Sequence, residues 1–209
     1  MSKPKLSSEM GNITQKWVEL LTPFTRNYSG KLSASELARE TSIPQQTASR
    51  YLDKLAEVNL IEYEKQGRNK LFFLSLNKQT AKILFNIIEN QKALFLKSTK
   101  EISPILDDLL QICEGLIVFG SYSTATFNKE SDLDIVILEC RNKNSIRKIK
   151  ERYSLEINEH YLTYAEFKKV LLSRNALSIE IAKNHVLFGN VSNLVETFIE
   201  AEASGARNE

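Results

Sequence analysis

The stretch over residues 115–139 constrains the fold of this chain more than any other. An apolar run leads into Gly120 and Ser121, and ten residues then separate Ser121 from Asp132. Asp132 and Asp134 open a second apolar run. This pattern predicts a strand, a glycine turn, a short helical or loop segment, and a second strand that begins with two acids.

The two acids are spaced to share a cation. Because residues two apart on a strand point the same way, Asp132 and Asp134 project from one face and Leu133 from the other. Neighbouring carboxylates repel each other unless a positive charge lies between them, and hard cations such as Mg²⁺ prefer oxygen ligands. Gly120 permits close backbone approach, and the amides after it can point at a phosphate. The stretch therefore indicates phosphoryl or nucleotidyl transfer.

The whole arrangement resembles the signature of the polymerase-β-type nucleotidyltransferases, in particular the small group called minimal nucleotidyltransferases. The resemblance covers about half of the chain. It implies that Gly120, Ser121 and Ser131 bind the nucleotide, and that Asp132 and Asp134 bind Mg²⁺ or Mn²⁺ and are catalytic. It also implies an NTP as substrate, ATP being the simplest choice. The acceptors of this family include drugs, nucleic-acid ends and proteins, and the residues select none of them.

The chain departs from that family signature after Gly120. Where the family usually has a small residue, then Arg or Lys, then Gly, this chain has Ser123, Thr124 and Ala125. A basic residue that would neutralise phosphate is therefore missing, and the second glycine is an alanine. These departures favour an alternative, in which the domain only senses nucleotide or is inactive.

A third carboxylate would come from a later strand, predicted over residues 154–162. Its alternation puts Glu156, Asn158 and His160 on one face. We expect Glu156 to be the third metal-binding and catalytic residue, because the alternation points the side chain of Glu159 towards the core. The alternative is that Glu156 is an ordinary solvent-facing acid.

Composition is that of an ordinary globular protein, with 42% hydrophobic and 26% charged residues among 209. No apolar stretch reaches the roughly 18 residues that span a membrane, and the N-terminus lacks the apolar core of a signal peptide. Cys113 and Cys140 show no metal-binding spacing and are expected to be buried thiols. We therefore expect a cytoplasmic protein.

Charge divides the chain into two parts. Residues 1–97 hold 15 Lys and Arg against 9 Asp and Glu, whereas residues 98–209 hold 13 against 17. A basic first half suits nucleic acid, and an acidic second half suits a metal.

The first half has the order of elements of a winged helix-turn-helix. The spacing of Ser33 and Glu36 predicts a capping box, Pro44 suits a first helical position, and Asn59 suits the left-handed end of a helix. The predicted helices cover residues 13–24, 33–40 and 44–58, and the predicted hairpin strands cover residues 60–63 and 71–76.

This order resembles that of many bacterial and archaeal regulators and implies binding of double-stranded DNA. Amide and Arg side chains on the outer face of the recognition helix would read base edges, and basic residues of the wing would contact phosphate or the minor groove. The implied DNA-binding residues are Gln45, Gln46, Ser49, Arg50, Lys54, Arg68 and Lys70. The alternative is a module for protein interaction or dimerisation.

We expect an α+β protein: residues 1–97 form the winged helix-turn-helix with a connecting helix, and residues 98–209 form a nucleotidyltransferase-like domain with a mixed sheet flanked by helices. The connecting helix, over residues 77–97, carries an apolar stripe. Either it makes a homodimer or it packs within the chain. The stripe comprises Ala81, Leu84, Phe85, Ile88, Leu94 and Phe95.

Overall fold

The structure, a computed structural model, describes residues 15–205, apart from the side chains of residues 143 and 205. Its residues divide into two compact units, one ending at Leu84 and the other beginning at Phe85. This division falls inside one continuous helix, whereas the sequence placed the domain boundary at the end of that helix. Within the described part, no helix combines the length and the apolar composition that a membrane crossing requires.

The first unit is a set of helices followed by a small antiparallel sheet of order β1-β3-β2. The predicted first helix starts at residue 13, which lies outside the described residues. The elements are α1 Gln15–Leu21, a 3-10 helix Thr22–Arg26, β1 Leu32–Ser33, α2 Ala34–Glu40, α3 Gln45–Glu57, β2 Glu62–Gln66 and β3 Asn69–Phe73.

Local sequence accounts for the helix ends in this unit. The Ser33 hydroxyl accepts a hydrogen bond from the Glu36 backbone N–H (3.3 Å), and the Glu36 carboxylate accepts one from the Ser33 N–H (2.8 Å), so the predicted capping box forms. Pro44 is the N-cap of α3 and lies one position before the predicted one. Asn59 has a φ of 58°, as expected for a residue that ends a helix in the left-handed region.

Helix α3 is amphipathic, and its apolar face forms the centre of the unit. Ala48, Leu52 and Leu55 are fully buried, as their spacing predicts, because residues three and four apart share one face of a helix. The polar face of α3 is thereby left outward.

The connecting helix α4, Gln79–Lys97, is buried along only part of its apolar stripe. The first four members of the stripe are buried, whereas Leu94 and Phe95 are 65% and 69% exposed. Dimerisation through this helix stays a prediction, since packing within the chain accounts for four of the six residues.

The second unit is built on a mixed sheet of order β6-β5-β4-β7, in which only β5 and β6 are parallel. Its remaining elements, after α4, are α5 Ser103–Leu110, β4 Gly115–Val118, α6 Gly120–Ser123, β5 Leu133–Leu138, α7 Lys143–Arg152, β6 Ile157–Leu162, α8 Tyr164–Ser173, α9 Ala176–Lys183, β7 Val186–Gly189 and α10 Val191–Gly205.

The central strands position the candidate site. Residues 133 and 135 of β5 are fully buried and pack in one cluster with α5 and α7, whereas Asp134 lies between them and is only half-buried. Strand β5 is thus buried on both faces along most of its length, and only Asp134, near its start, remains accessible within the strand. The predicted α+β class, with a mixed sheet flanked by helices, is confirmed.

Candidate nucleotide site and nucleic-acid surface

A tight approach of two backbone segments creates the candidate nucleotide site. Strand β4 runs antiparallel to β5, and the Phe119 N–H donates to the Asp134 carbonyl (3.0 Å). The next residue, Gly120, has a φ of 66° and begins α6. A Cβ atom at this position would lie 2.3 Å from the Asp134 Oδ2 atom. Only glycine therefore allows this turn to lie against the second acid of the pair.

The two acids converge. Asn158 Nδ2 lies 3.3 Å from Asp132 Oδ2 and 3.3 Å from Asp134 Oδ1. One amide group can bridge both carboxylates only if their side chains project from the same face of β5, as the alternation predicts. Both residues are half-buried.

Asn158, and not the predicted Glu156, is the residue of β6 that contacts this pair. The parallel register of β5 and β6 places Asp134 opposite Asn158, while the Leu133 N–H donates to the Glu156 carbonyl (2.9 Å). Glu156 is exposed and lies two residues earlier. Local alternation indicated the correct face of β6, but position along the strand depends on register, which a local pattern does not contain.

The donor atoms fit one hard cation. Carboxylate oxygens and an amide carbonyl oxygen are the ligand types that Mg²⁺ and Mn²⁺ accept. Within residues 15–205, no three His, Cys, Asp or Glu side chains come together in a way that could hold a metal. The role of Glu156 as a third metal-binding and catalytic residue beside Asp132 and Asp134 stays a prediction.

The turn after Gly120 is shaped by hydroxyl side chains. The Ser123 Oγ atom lies 2.8 Å from the Gly120 carbonyl and 3.2 Å from the Asn184 carbonyl. Ala125, which stands where the family has glycine, has a φ of 56°. The backbone thus keeps a left-handed conformation at this position although the side chain disfavours it.

Ser131 closes the turn that precedes the acids. Its hydroxyl accepts a hydrogen bond from the Asn128 N–H (2.9 Å), and its own N–H donates to the Asn128 carbonyl (3.1 Å). Ser121 is the second residue of α6 and is half-buried, and its carbonyl accepts a hydrogen bond from the Thr126 N–H (3.0 Å).

A cavity of about 710 Å³ adjoins the first acid of the pair, and its wall includes Asp132 and Glu156. Tyr122 and Phe127, whose rings stack at 4.4 Å, form an apolar part of the wall. Burial, with the nearby Glu101 and Asp132 carboxylates, raises the pKa of Tyr122, so its phenol stays neutral at physiological pH. The site therefore has room for a ligand beside Asp132.

In the first unit, the structure exposes most of the side chains predicted to bind DNA. The outward face of α3 carries Gln45, Gln46 and Arg50 as exposed residues and Ser49 as a half-buried one. Lys54 lies one turn beyond Arg50 and is exposed, as is Arg68 next to the hairpin turn.

Lys70 differs from the other six residues. Its Nζ atom lies 2.7 Å from Asp53 Oδ1 on α3 and 4.6 Å from the centre of the Tyr63 ring. The hydrogen bond to Asp53 raises the pKa of Lys70 despite some desolvation. The ammonium group therefore joins β3 to the recognition helix. This partner was not evident from sequence, because Asp53 is distant along the chain.

Comparison with known protein families agrees with both halves of this description. Residues 19–64 match the family model of a helix-turn-helix domain, and residues 99–199 match that of a nucleotidyltransferase domain.

A relative in Methanocaldococcus jannaschii, whose name makes it a candidate protein adenylyltransferase, is 42% identical over 62 residues. The alignment covers 27% of this chain and 60% of the relative. The chain thus consists of a helix-turn-helix domain followed by a nucleotidyltransferase domain.

Proposed function

We propose that this protein binds double-stranded DNA and transfers a nucleoside monophosphate from an NTP to an acceptor hydroxyl. The observation that carries the proposal is the convergence of Asp132 and Asp134 beside the Gly120 turn, next to a cavity large enough for a ligand. A helix-turn-helix domain on the same chain supports the DNA-binding part.

Each residue has one role in the proposed reaction. Backbone amides after Gly120 and at Ser121 bind the phosphates, and Ser131 orients the turn that leads into the acids. Asp132 and Asp134 hold the divalent cation through carboxylate oxygens. When bound, Mg²⁺ or Mn²⁺ supplies charge stabilisation of the attacking and leaving oxygens. The bond from the acceptor oxygen to the α-phosphorus forms, the bond to the β-phosphate bridging oxygen breaks, pyrophosphate leaves, and the hydroxyl proton passes to water.

We propose ATP as the donor and a protein as the acceptor, because a relative over part of the chain carries the name of a protein adenylyltransferase. The exposed Glu156 lines the cavity on the side of Asp132 and would contact the acceptor rather than the cation.

Labelling with radioactive nucleotides tests the proposal. The full chain is incubated with Mg²⁺ and each of the four α-labelled NTPs, with and without extract from its own cells. We expect one labelled protein band, strongest with ATP. The variants Asp132→Asn and Asp134→Asn should abolish labelling, whereas Glu180→Gln, which removes an exposed acid from α9, should not. Equal labelling by all four proteins would contradict the proposal.

A second function is favoured by two specific observations. Thr124 replaces the basic residue of the family signature, and a neutral amide, Asn158, contacts the acid pair. Both lower the capacity of the site to stabilise a phosphoryl transition state. In this second function the domain binds nucleotide without turnover and controls DNA binding.

Binding experiments separate the two functions. If the second is correct, labelling is absent, and Mg²⁺ with a non-cleavable ATP analogue changes the affinity for the chain's own promoter DNA. If the first is correct, labelling occurs whether or not DNA affinity responds to the analogue.

A further inference from the structure

We propose that Asn158 is the third coordinating side chain of the cation site, and that its neutrality makes cation binding depend on the nucleotide. The dependence on nucleotide rests on the proposed function, while the coordinating role rests on the geometry of three side chains.

The first step concerns position. In the register of β5 and β6, Asn158 lies directly beside Asp134, and its amide reaches both acids at 3.3 Å. Glu156 is exposed and precedes the first residue of β6, Ile157. Asn158 is therefore the side chain of β6 that would meet a cation held by Asp132 and Asp134.

The second step concerns charge. Two aspartates and one asparagine give this cluster a formal charge of −2, one less negative than a cluster of three carboxylates. The affinity of a site for a hard divalent cation rises with the number of charged ligands. By this argument, the cluster binds free Mg²⁺ or Mn²⁺ more weakly than a three-carboxylate site of the same shape.

The third step concerns the hydrogen bonds that the amide already makes. The Asn158 NH₂ group donates towards both carboxylates and so takes the position between them that a cation would otherwise take. Coordination by the Asn158 carbonyl oxygen requires that the amide turn over and give up these two contacts. Their length, 3.3 Å, lies beyond the usual range of N–H donors, so the contacts are weak enough to exchange.

The consequence is an order of binding. A cation alone must displace the amide and gains only two charged ligands from the protein. A cation complexed to a triphosphate brings phosphate oxygens with it, and the backbone after Gly120 is placed to bind those phosphates. The cation therefore enters with the nucleotide. Occupancy of the site then depends on the concentration of nucleotide rather than on that of free metal.

Binding of Mn²⁺, followed by electron paramagnetic resonance, tests the inference on the full chain without any turnover. Mn²⁺ is titrated alone and with a non-cleavable ATP analogue, into the wild type and into Asn158→Asp and Asn158→Ala. A matched control, Asn175→Asp, adds the same charge at the exposed N-cap of α9, where an aspartate can accept the Ser178 N–H as the asparagine does.

We expect weak Mn²⁺ binding by the wild type alone, at least tenfold tighter binding with the analogue, and about one bound ion per chain. Asn158→Asp should tighten binding of Mn²⁺ alone by about tenfold or more. Asn158→Ala removes the third ligand and should weaken Mn²⁺ binding in the presence of the analogue. Asn175→Asp should leave the Mn²⁺ affinity unchanged. Circular dichroism verifies that each variant is folded.

Two results would overturn the inference: Mn²⁺ affinity of Asn158→Asp equal to that of the wild type, or wild-type Mn²⁺ affinity that is unchanged by an analogue that does bind. Failure of the analogue to bind at all would instead refute the proposed function. The gain in Asn158→Asp is measured with Mn²⁺ alone, so it tests the ligand role of Asn158 independently of any nucleotide.

Discussion

Gly120 and Asp134 lie so close that a Cβ atom on residue 120 would come within 2.3 Å of the Asp134 Oδ2 atom. Strand β4 therefore turns into α6 directly against the second acid of the pair. This approach links the turn proposed to bind phosphate to the acid pair proposed to hold the cation, and any side chain on residue 120 would break it.

We predict that Gly120→Ala displaces the Asp134 carboxylate and weakens cation-dependent nucleotide binding about tenfold or more. The methyl group also imposes the left-handed penalty, which is about 1–2 kcal/mol. Gly67→Ala separates these effects, because residue 67 has a φ of 61° with no atom within 4 Å of the added carbon. Isothermal titration with Mn²⁺ and an ATP analogue should show the loss in Gly120→Ala alone; equal affinities of the two variants would contradict the prediction.

Ala125 is expected to store strain in its left-handed conformation, with φ at 56°. We predict that Ala125→Gly stabilises the folded chain by about 1 kcal/mol, because relief of the steric penalty exceeds the greater backbone entropy that glycine loses on folding. The same substitution at Ala165, an exposed position in the first turn of α8, should instead destabilise the folded chain, by at most about 1 kcal/mol. Urea unfolding of both variants measures whether each substitution raises or lowers the free energy of unfolding.

Arg50 is the strongest candidate for reading a base edge, because it is exposed on the outward face of α3. We predict that Arg50→Ala weakens binding to the specific DNA site by about 1–3 kcal/mol and non-specific binding much less. Arg68→Ala, on the wing, should weaken binding to all sequences alike. It should also reduce the slope of log affinity against log salt concentration by about one, as expected for the loss of one phosphate contact. Fluorescence anisotropy with specific and scrambled duplexes distinguishes them, and equal losses for Arg50→Ala would argue against base reading.

Glu89 on α4 makes a buried ionic cluster with the Lys92 Nζ atom (2.9 Å) and the His185 Nε2 atom (3.2 Å). Burial alone would raise the pKa of Glu89, but the positive charges of Lys92 and His185 outweigh it and lower the pKa to about 2. The carboxylate therefore contributes stability above its ordinary pKa of 4.5, and this contribution is lost as the pH falls from 4.5 towards 2.

We predict that Glu89→Gln lowers the free energy of unfolding at neutral pH by about 3 kcal/mol, because it leaves the Lys92 ammonium group without its buried partner. Its stability should then fall less steeply than that of the wild type between pH 4.5 and 2, because the titrating group is gone. Denaturant unfolding across this pH range provides the test, with the exposed Glu180→Gln as control. Parallel curves for Glu89→Gln and the wild type would be inconsistent with the assigned charge state.

Much of the fold follows from local patterns in the sequence. Apolar and polar alternation placed Asp132 and Asp134 on one face of a strand, and helical spacing identified the buried face of α3. Capping chemistry placed Ser33 and Asn59 at helix ends. These features depend on residues within a few positions of one another, so the order of residues alone determines them.

Tertiary structure decided which side chains meet. The sequence pointed to Glu156 as the partner of the acid pair, but the register of β6 against β5 brings Asn158 there instead. The pairing of Lys70 with Asp53 arises in the same way, since the two residues lie on different elements. Such contacts depend on how strands align and how elements pack, and a local pattern holds no information on either. The sequence thus determined that two acids share one face of β5, and the packing of β5 against β6 determined that a neutral amide, Asn158, lies against them.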